Sequence, residues 1–184
     1  MAVALLTLDE AKKQANVQSD SHDAEIQLYI DALTAVIEGY VGVVEVREVT
    51  DTVTGQGPAV ALLHPPVLSL TSLTPTEPGG TAVDVARVHA DGPSGVLAYT
   101  DRSRFCGGPW TAVYQAGRPV VPPTIRLAAL LLFQHLWRTR NGPARGGSSA
   151  DDFSVTEPIP GFGYAVPNRV LQLLEPFKLP PAVG

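Results

Sequence analysis

The stretch Thr124–Arg140, opened by Pro122-Pro123, constrains the fold more than any other part of the chain. Proline suits the first turn of a helix, where its missing N–H costs nothing. Behind it, Leu127, Leu130, Leu131, Leu132, Phe133, Leu136 and Trp137 do not fit on a single helical stripe. A helix apolar on that many sides is expected to be buried on most of them. A single domain buries one side well, so the remaining faces are expected to meet a neighbouring copy. Leu127, Leu130, Leu131, Phe133, Leu136 and Trp137 are therefore the candidates for a shared core and subunit contact. The longest apolar run, Leu127–Phe133, is far below the roughly 18 residues of a membrane span, so no membrane partner is expected.

Two further helices are expected near the start. Thr7-Leu-Asp-Glu10 has the form of a capping box, a Thr followed three residues on by Glu, and predicts a helix over residues 8–16. Polar Gln18–Asp23 reads as a turn with a second cap. From His22 to Val41, the residues Ile26, Tyr29, Ile30, Leu33, Val36, Ile37 and Tyr40 recur at spacings of three and four, with Glu25, Asp31, Thr34 and Glu38 opposite. That is an amphipathic helix with one buried stripe. Met1–Leu6 is short and apolar with no basic stretch before it, unlike a signal peptide.

The pattern then changes to a period near two. Val43–Thr54 alternates Val44, Val46 and Val49 with charged residues, which predicts a strand. Strand-like runs follow at residues 59–63, 67–74, 82–89, 95–100 and 110–116, separated by Gly and Pro clusters. A small antiparallel unit is expected, either a sandwich or an open barrel. After the long helix, Asn141–Asp152 is rich in Gly and Ser and reads as a flexible loop; Phe153–Pro160 reads as extended. A last helix is expected over Arg169–Pro176, and a Pro-rich tail closes the chain. The expected fold class is α+β: a bundle of about four helices (two N-terminal, one long and apolar, one short and C-terminal) with a central antiparallel β region. It is read as a single domain over 1–184. Its parts are a helical N-terminal part (1–42), a β-rich part (43–116), the long helix (117–140), the loop (141–152) and a C-terminal docking segment (153–184).

Recognisable chemistry is missing. His22, His64, His89 and His135 share no i, i+4 spacing, and a lone cysteine, Cys106, builds no thiolate cage, so no metal is expected. No Gly-rich loop runs into Lys-Ser/Thr, and Gly92–Gly95 and Gly146–Ser149 lack the Gly-x-Ser-x-Gly elbow. Arg102 and Arg104 flank Cys106 closely enough to activate a thiol, but a small side chain in a loop accounts for it. Asp9/Glu10 suit a helix start, and Asp151/Asp152 read as solvated loop charge. Arg138, Arg140 and Arg145 complement a helix C-terminus, or contact an acidic partner surface or DNA phosphates. No catalytic residue, cofactor or enzyme activity is expected. The net charge of −5 is unlike that of a nucleic-acid-binding domain. With 45% hydrophobic and 17% charged residues, the chain has ample core and little to solvate a lone surface.

Three segments, in order, carry a resemblance. Leu6-Thr-Leu-Asp-Glu-Ala-Lys12, with the acidic turn and helix Glu25–Gly42 behind it, is similar to the opening of bacteriophage head–tail connector (adaptor, head-completion) proteins. Trp110-Thr-Ala-Val-Tyr-Gln-Ala-Gly117, then Val121-Pro-Pro123 and the helix Ile125–Arg138, resembles the family's strand, proline and apolar-helix succession. Val166-Pro-Asn-Arg-Val-Leu-Gln-Leu-Leu174 resembles its closing segment. The β region, residues 43–116, departs from compact members, which are mostly helical.

The resemblance implies a structural virion protein at the head–tail interface, made in the host bacterial cytoplasm. It implies a ring of itself, commonly of twelve copies, docked under the portal protein and above a stopper or tail terminator. Genomic double-stranded DNA would pass through without sequence-specific binding. In that frame Phe162, Tyr164, Leu171, Leu174 and Phe177 are the candidates for docking on the portal or a neighbour, and Glu25, Asp31 and Glu38 for an acidic channel lining. Competing readings are another virion joining protein (stopper or tail-completion), a soluble β-rich binding module, and an unrecognised hydrolase.

Overall fold

The computed structural model describes residues 4–141 and 166–179. The chain forms two compact units: a helical one, Ala4–Val41 with Val121–Lys178, and a β unit built on Gly42–Val120.

The helical unit holds α1 (Leu8–Ala15), α2 (Asp23–Val41), α3 (Pro123–Asn141) and α4 (Asn168–Leu174). α1 starts on the expected capping box: Thr7 accepts the Glu10 N–H, and the Glu10 carboxylate accepts the Thr7 N–H at 3.0 Å. It ends at Asn16, whose left-handed φ of 56° suits a helix terminus. α2 buries Ile26, Ile30, Leu33, Ile37 and Val41, the stripe its periodicity requires. α2 and α3 run antiparallel: Tyr29 and His22 pack edge-on to Trp137 near the end of α3, whereas Val36 and Ile37 lie by Leu132. α1 is tied to α3 by Gln14–Gln134 at 2.9 Å and by Arg126–Glu10 at 2.5 Å.

The β unit contains two antiparallel three-stranded sheets. One has the order β1 (Arg47–Val53), β6 (Trp110–Ala116), β3 (Val67–Pro75); the other β2 (Ala59–Ala61), β5 (Val96–Tyr99), β4 (Val88–Asp91). Both contribute to one core, with Val53, Leu73, Ala112 and Tyr114 from the first and Val60 and Leu97 from the second. Of the two expected alternatives this is the sandwich. β6 lies centrally, and its Trp110, Ala112, Tyr114 and Ala116 all point inward, the period-2 pattern of a half-buried strand.

Two strand expectations shift. Residues 82–89 yield β-structure only from Val88, because the Asp84 side chain accepts the Ala86 N–H at 3.1 Å and turns 85–87 into a short helical turn. β1 begins at Arg47 rather than Val43. Val43 and Val44 instead bond outside the ladder, Val43 N–H to the Pro65 carbonyl and the Val44 carbonyl to Arg118 N–H. Gly117, with φ of 120°, lets the chain pass Val46 so closely that a Cβ would stand 2.7 Å from its Cα.

Candidate functional site

The surface of α3 is the first candidate. Its buried residues Ile125, Ala128, Ala129, Leu132, Phe133 and Trp137 recur at three and four and form one stripe, not a fully enclosed cylinder. Phe133 stacks on Trp137 at 6.1 Å between ring centres. Leu130, Leu131 and Leu136 are half-buried, and Leu127 is 47% exposed. Of the six α3 residues singled out in the sequence, Phe133 and Trp137 thus fill the core of their own unit. The outer side is left apolar by Leu127 and Leu131, whereas Leu130 lies between Arg126 and Gln134 on the side that meets α1. Sequence reasoning passed over Ile125, Ala128 and Ala129 because alanines in a leucine-rich run do not stand out; only their i, i+3, i+4 spacing marks them as core.

The C-terminal docking candidates divide similarly. Val170 and Leu174 of α4 are buried, and Leu171 joins them against Val36, Ile37, Tyr40 and Leu132. The Tyr40 hydroxyl donates to Glu175, and Lys178 lies 5.4 Å from the Tyr40 ring centre. Burial first, and then the Glu175 carboxylate, push that hydroxyl up to about 12. Phe177 is half-buried. Phe162 and Tyr164 lie outside the described residues, as do Arg145 and the segment read as loop and extended chain, except Asn141, which ends α3.

The three acidic candidates on α2 are not all brought together. Asp31 and Glu38 stand two turns apart on one ridge, but Glu25 lies about 120° round the helix. Its carboxylate meets His22 Nδ1 at 3.3 Å. Asp31 is exposed and accepts from Gln27 at 2.8 Å.

The β unit contains a polar cluster the sequence reading did not single out. Asp51 on β1, 8% exposed, accepts the Tyr114 hydroxyl and stands 3.0 Å from His64 Nδ1. The His64 N–H donates back to Tyr114 Oη at 3.1 Å. Burial, reinforced by Asp51, holds the Tyr114 phenol well above its ordinary value. The three groups satisfy one another and fasten β1, β6 and the loop after β2. Their only sequence signal is an aspartate on the inward phase of a strand. His135, half-buried, is held below its ordinary value by desolvation. Cys106 is exposed. Among the described residues no group of three or more His, Cys, Asp or Glu side chains is placed to hold a metal, and no helix is long and apolar enough to cross a membrane.

An uncovered leucine face on α3, with the Asp51, Tyr114 and His64 groups satisfied by one another, suits a structural subunit. A family model described as "Head completion protein" matches residues 4–177. The chain belongs to the head completion protein family. No curated protein matches it. Among solved structures, a chain from the neck of the empty gene transfer agent particle computed with C6 symmetry has a TM-score of 0.65 at 20% identity, covering 98% of this chain and 92% of that one. A chain from the virion of the native gene transfer agent particle has a TM-score of 0.66 at 19% identity, again over 98% and 92%. A chain from the native neck computed with C12 symmetry has a TM-score of 0.60 at 19% identity, over 100% and 98%. At these identities the likeness is one of fold. Family membership makes the role structural rather than enzymatic, that of a head–tail connecting subunit. The fold likeness extends across the β region that departs from compact members, so that region belongs to the shared architecture.

Proposed function

We propose that this head completion protein closes into a ring of identical subunits, twelve in number, that docks beneath the portal and joins it to a stopper or tail terminator, with double-stranded DNA passing through. One observation carries the reading: α3 covers one stripe and its α1 side within its own unit and leaves Leu127 and Leu131 on the outside. A contiguous apolar helix face marks an interaction surface. A head-to-tail contact whose rotation closes generates a ring from one such surface and its complement.

Docking on the portal falls to the chain end. Leu174 is committed to the helical core, so Leu171, Phe177 and the residues after them are the candidates. Phe162 and Tyr164 belong to the same proposed segment. The acid ridge of Asp31 and Glu38, rather than Glu25, is the surface suited to a conduit that must not grip its cargo, since affinity for DNA rises with each phosphate neutralised.

The test is the mass of the purified protein alone and mixed with portal. A ring mass in either sample, and co-elution with portal, is the expected result. A chain that stays single in both samples and is not retained by portal overturns the proposal. Deleting residues 165–184 also removes Val170 and Leu174 from the core; truncation after Lys178 leaves α4 intact and tests the residues beyond it, and Phe177→Ala tests Phe177.

A further inference from the structure

We propose that the ring seam forms between the outer face of α3 on one copy and the outer face of α2 on the next, the two faces complementing each other in shape and charge. The inference rests on the ring reading above and adds which surfaces meet and in what register.

A head-to-tail contact needs two different faces on one subunit. The helical unit has two. On α3, Leu127 and Leu131 share the side opposite the buried stripe with exposed Arg138. On α2, the side opposite Ile26, Ile30, Leu33 and Ile37 carries Leu28, 67% exposed, with exposed Ala35 about two turns on and Asp31 at its border. One face is ridged by leucines and carries a cation; the other offers a shallow alanine position and an anion. Each is the kind of surface the other fits, and neither is complementary to itself in charge.

Register follows from the levels within one copy once α2 and α3 are set along the ring axis, which is part of the proposal. Within one copy α2 and α3 are antiparallel, with Tyr29 level with Trp137 and Ile37 close to the level of Leu132. With these helices along the ring axis, rotation about that axis preserves height. Residues at one level within a copy therefore meet across the seam. Leu131 then sits on Ala35, and Arg138 reaches the level of Leu28 and Asp31. The charge pair falls at the rim of an apolar contact, where it selects the register more than it adds affinity. This arrangement sets the ridge of Asp31 and Glu38 along one border of the seam, the border that faces the conduit.

Cross-linking tests it in full-length protein with Cys106→Ser as background. Ala35→Cys and Leu131→Cys are combined in one chain and oxidised, both free and in particles assembled with portal. The expected result is a ladder of covalent multimers, absent from either single variant. In parallel, Asp31→Arg and Arg138→Asp are each expected to raise the concentration needed for association by about tenfold, as for loss of roughly 1.4 kcal/mol, and the double exchange to restore it. Rings that form normally yet give no ladder, with both charge variants silent, overturn the seam while sparing the ring. A protein that associates neither free nor on portal overturns both.

Discussion

Glu10 has two tasks. It closes the capping box on Thr7 and receives Arg126 from α3, so a helix start and a tertiary tie share one carboxylate. The hydrogen bond from Arg126, with Thr7 adding to it, holds that carboxyl at about 2, against an ordinary 4.5. The ionised form is favoured by the fold. Its contribution is therefore present above about pH 4.5 and is lost as pH falls through about 2. Chemical unfolding followed from about pH 5 down to about pH 2 is expected to show a shallower loss of stability in Glu10→Gln than in the natural protein. Identical slopes would mean that the Arg126 tie does not outlast solvation. The Asp51, Tyr114 and His64 cluster is the counterpart in the β unit. It has the parts of a reactive site, but its hydrogen bonds run inward between strands and it fastens the sheet. A capping box was legible in the sequence because its partners are three residues apart. Asp51 and Tyr114 were not, because their meeting depends on the pairing of β1 with β6.

α3 shows how an element divides its two faces. Leu132 is fully buried, whereas Leu127 on the other side is 47% exposed. Replacing Leu132 by Ala is expected to cost about 2–5 kcal/mol, through lost burial and the cavity left behind. The same change at Leu127 is expected to stay within about 0.5 kcal/mol in the free subunit. Denaturant midpoints of the two variants check this, and equal losses would mean that α3 is enclosed on both sides. Composition alone overstated the burial of this helix. Its leucines are spread round the axis, but the fold covers the alanine-bearing side, where Ala128 and Ala129 let neighbouring helices approach. The same distinction accounts for α4. Its Leu174 reads as a docking residue in the sequence, and in the folded unit it already has partners.

For the whole molecule, a net charge of −5 is compatible with the proposed ring and its passage of DNA, because a conduit needs passage without affinity. Duplex DNA titrated with the protein at about 0.15 M salt is expected to show no measurable change in fluorescence anisotropy; tight binding with a steep salt dependence would contradict the conduit. The sequence by itself determined the kinds of element, their order and the family: helix caps, a 3.6-residue stripe and a period-2 alternation are local signals, and local signals are set by the backbone geometry of neighbouring residues. The tertiary structure alone decided how six strands divide into two sheets, that the helical unit is assembled from both ends of the chain, and which leucines face water. Those outcomes depend on contacts between residues far apart in sequence, such as β1 with β6 and α2 with α3, and spacing along the chain does not encode which distant face will arrive to cover a given side chain.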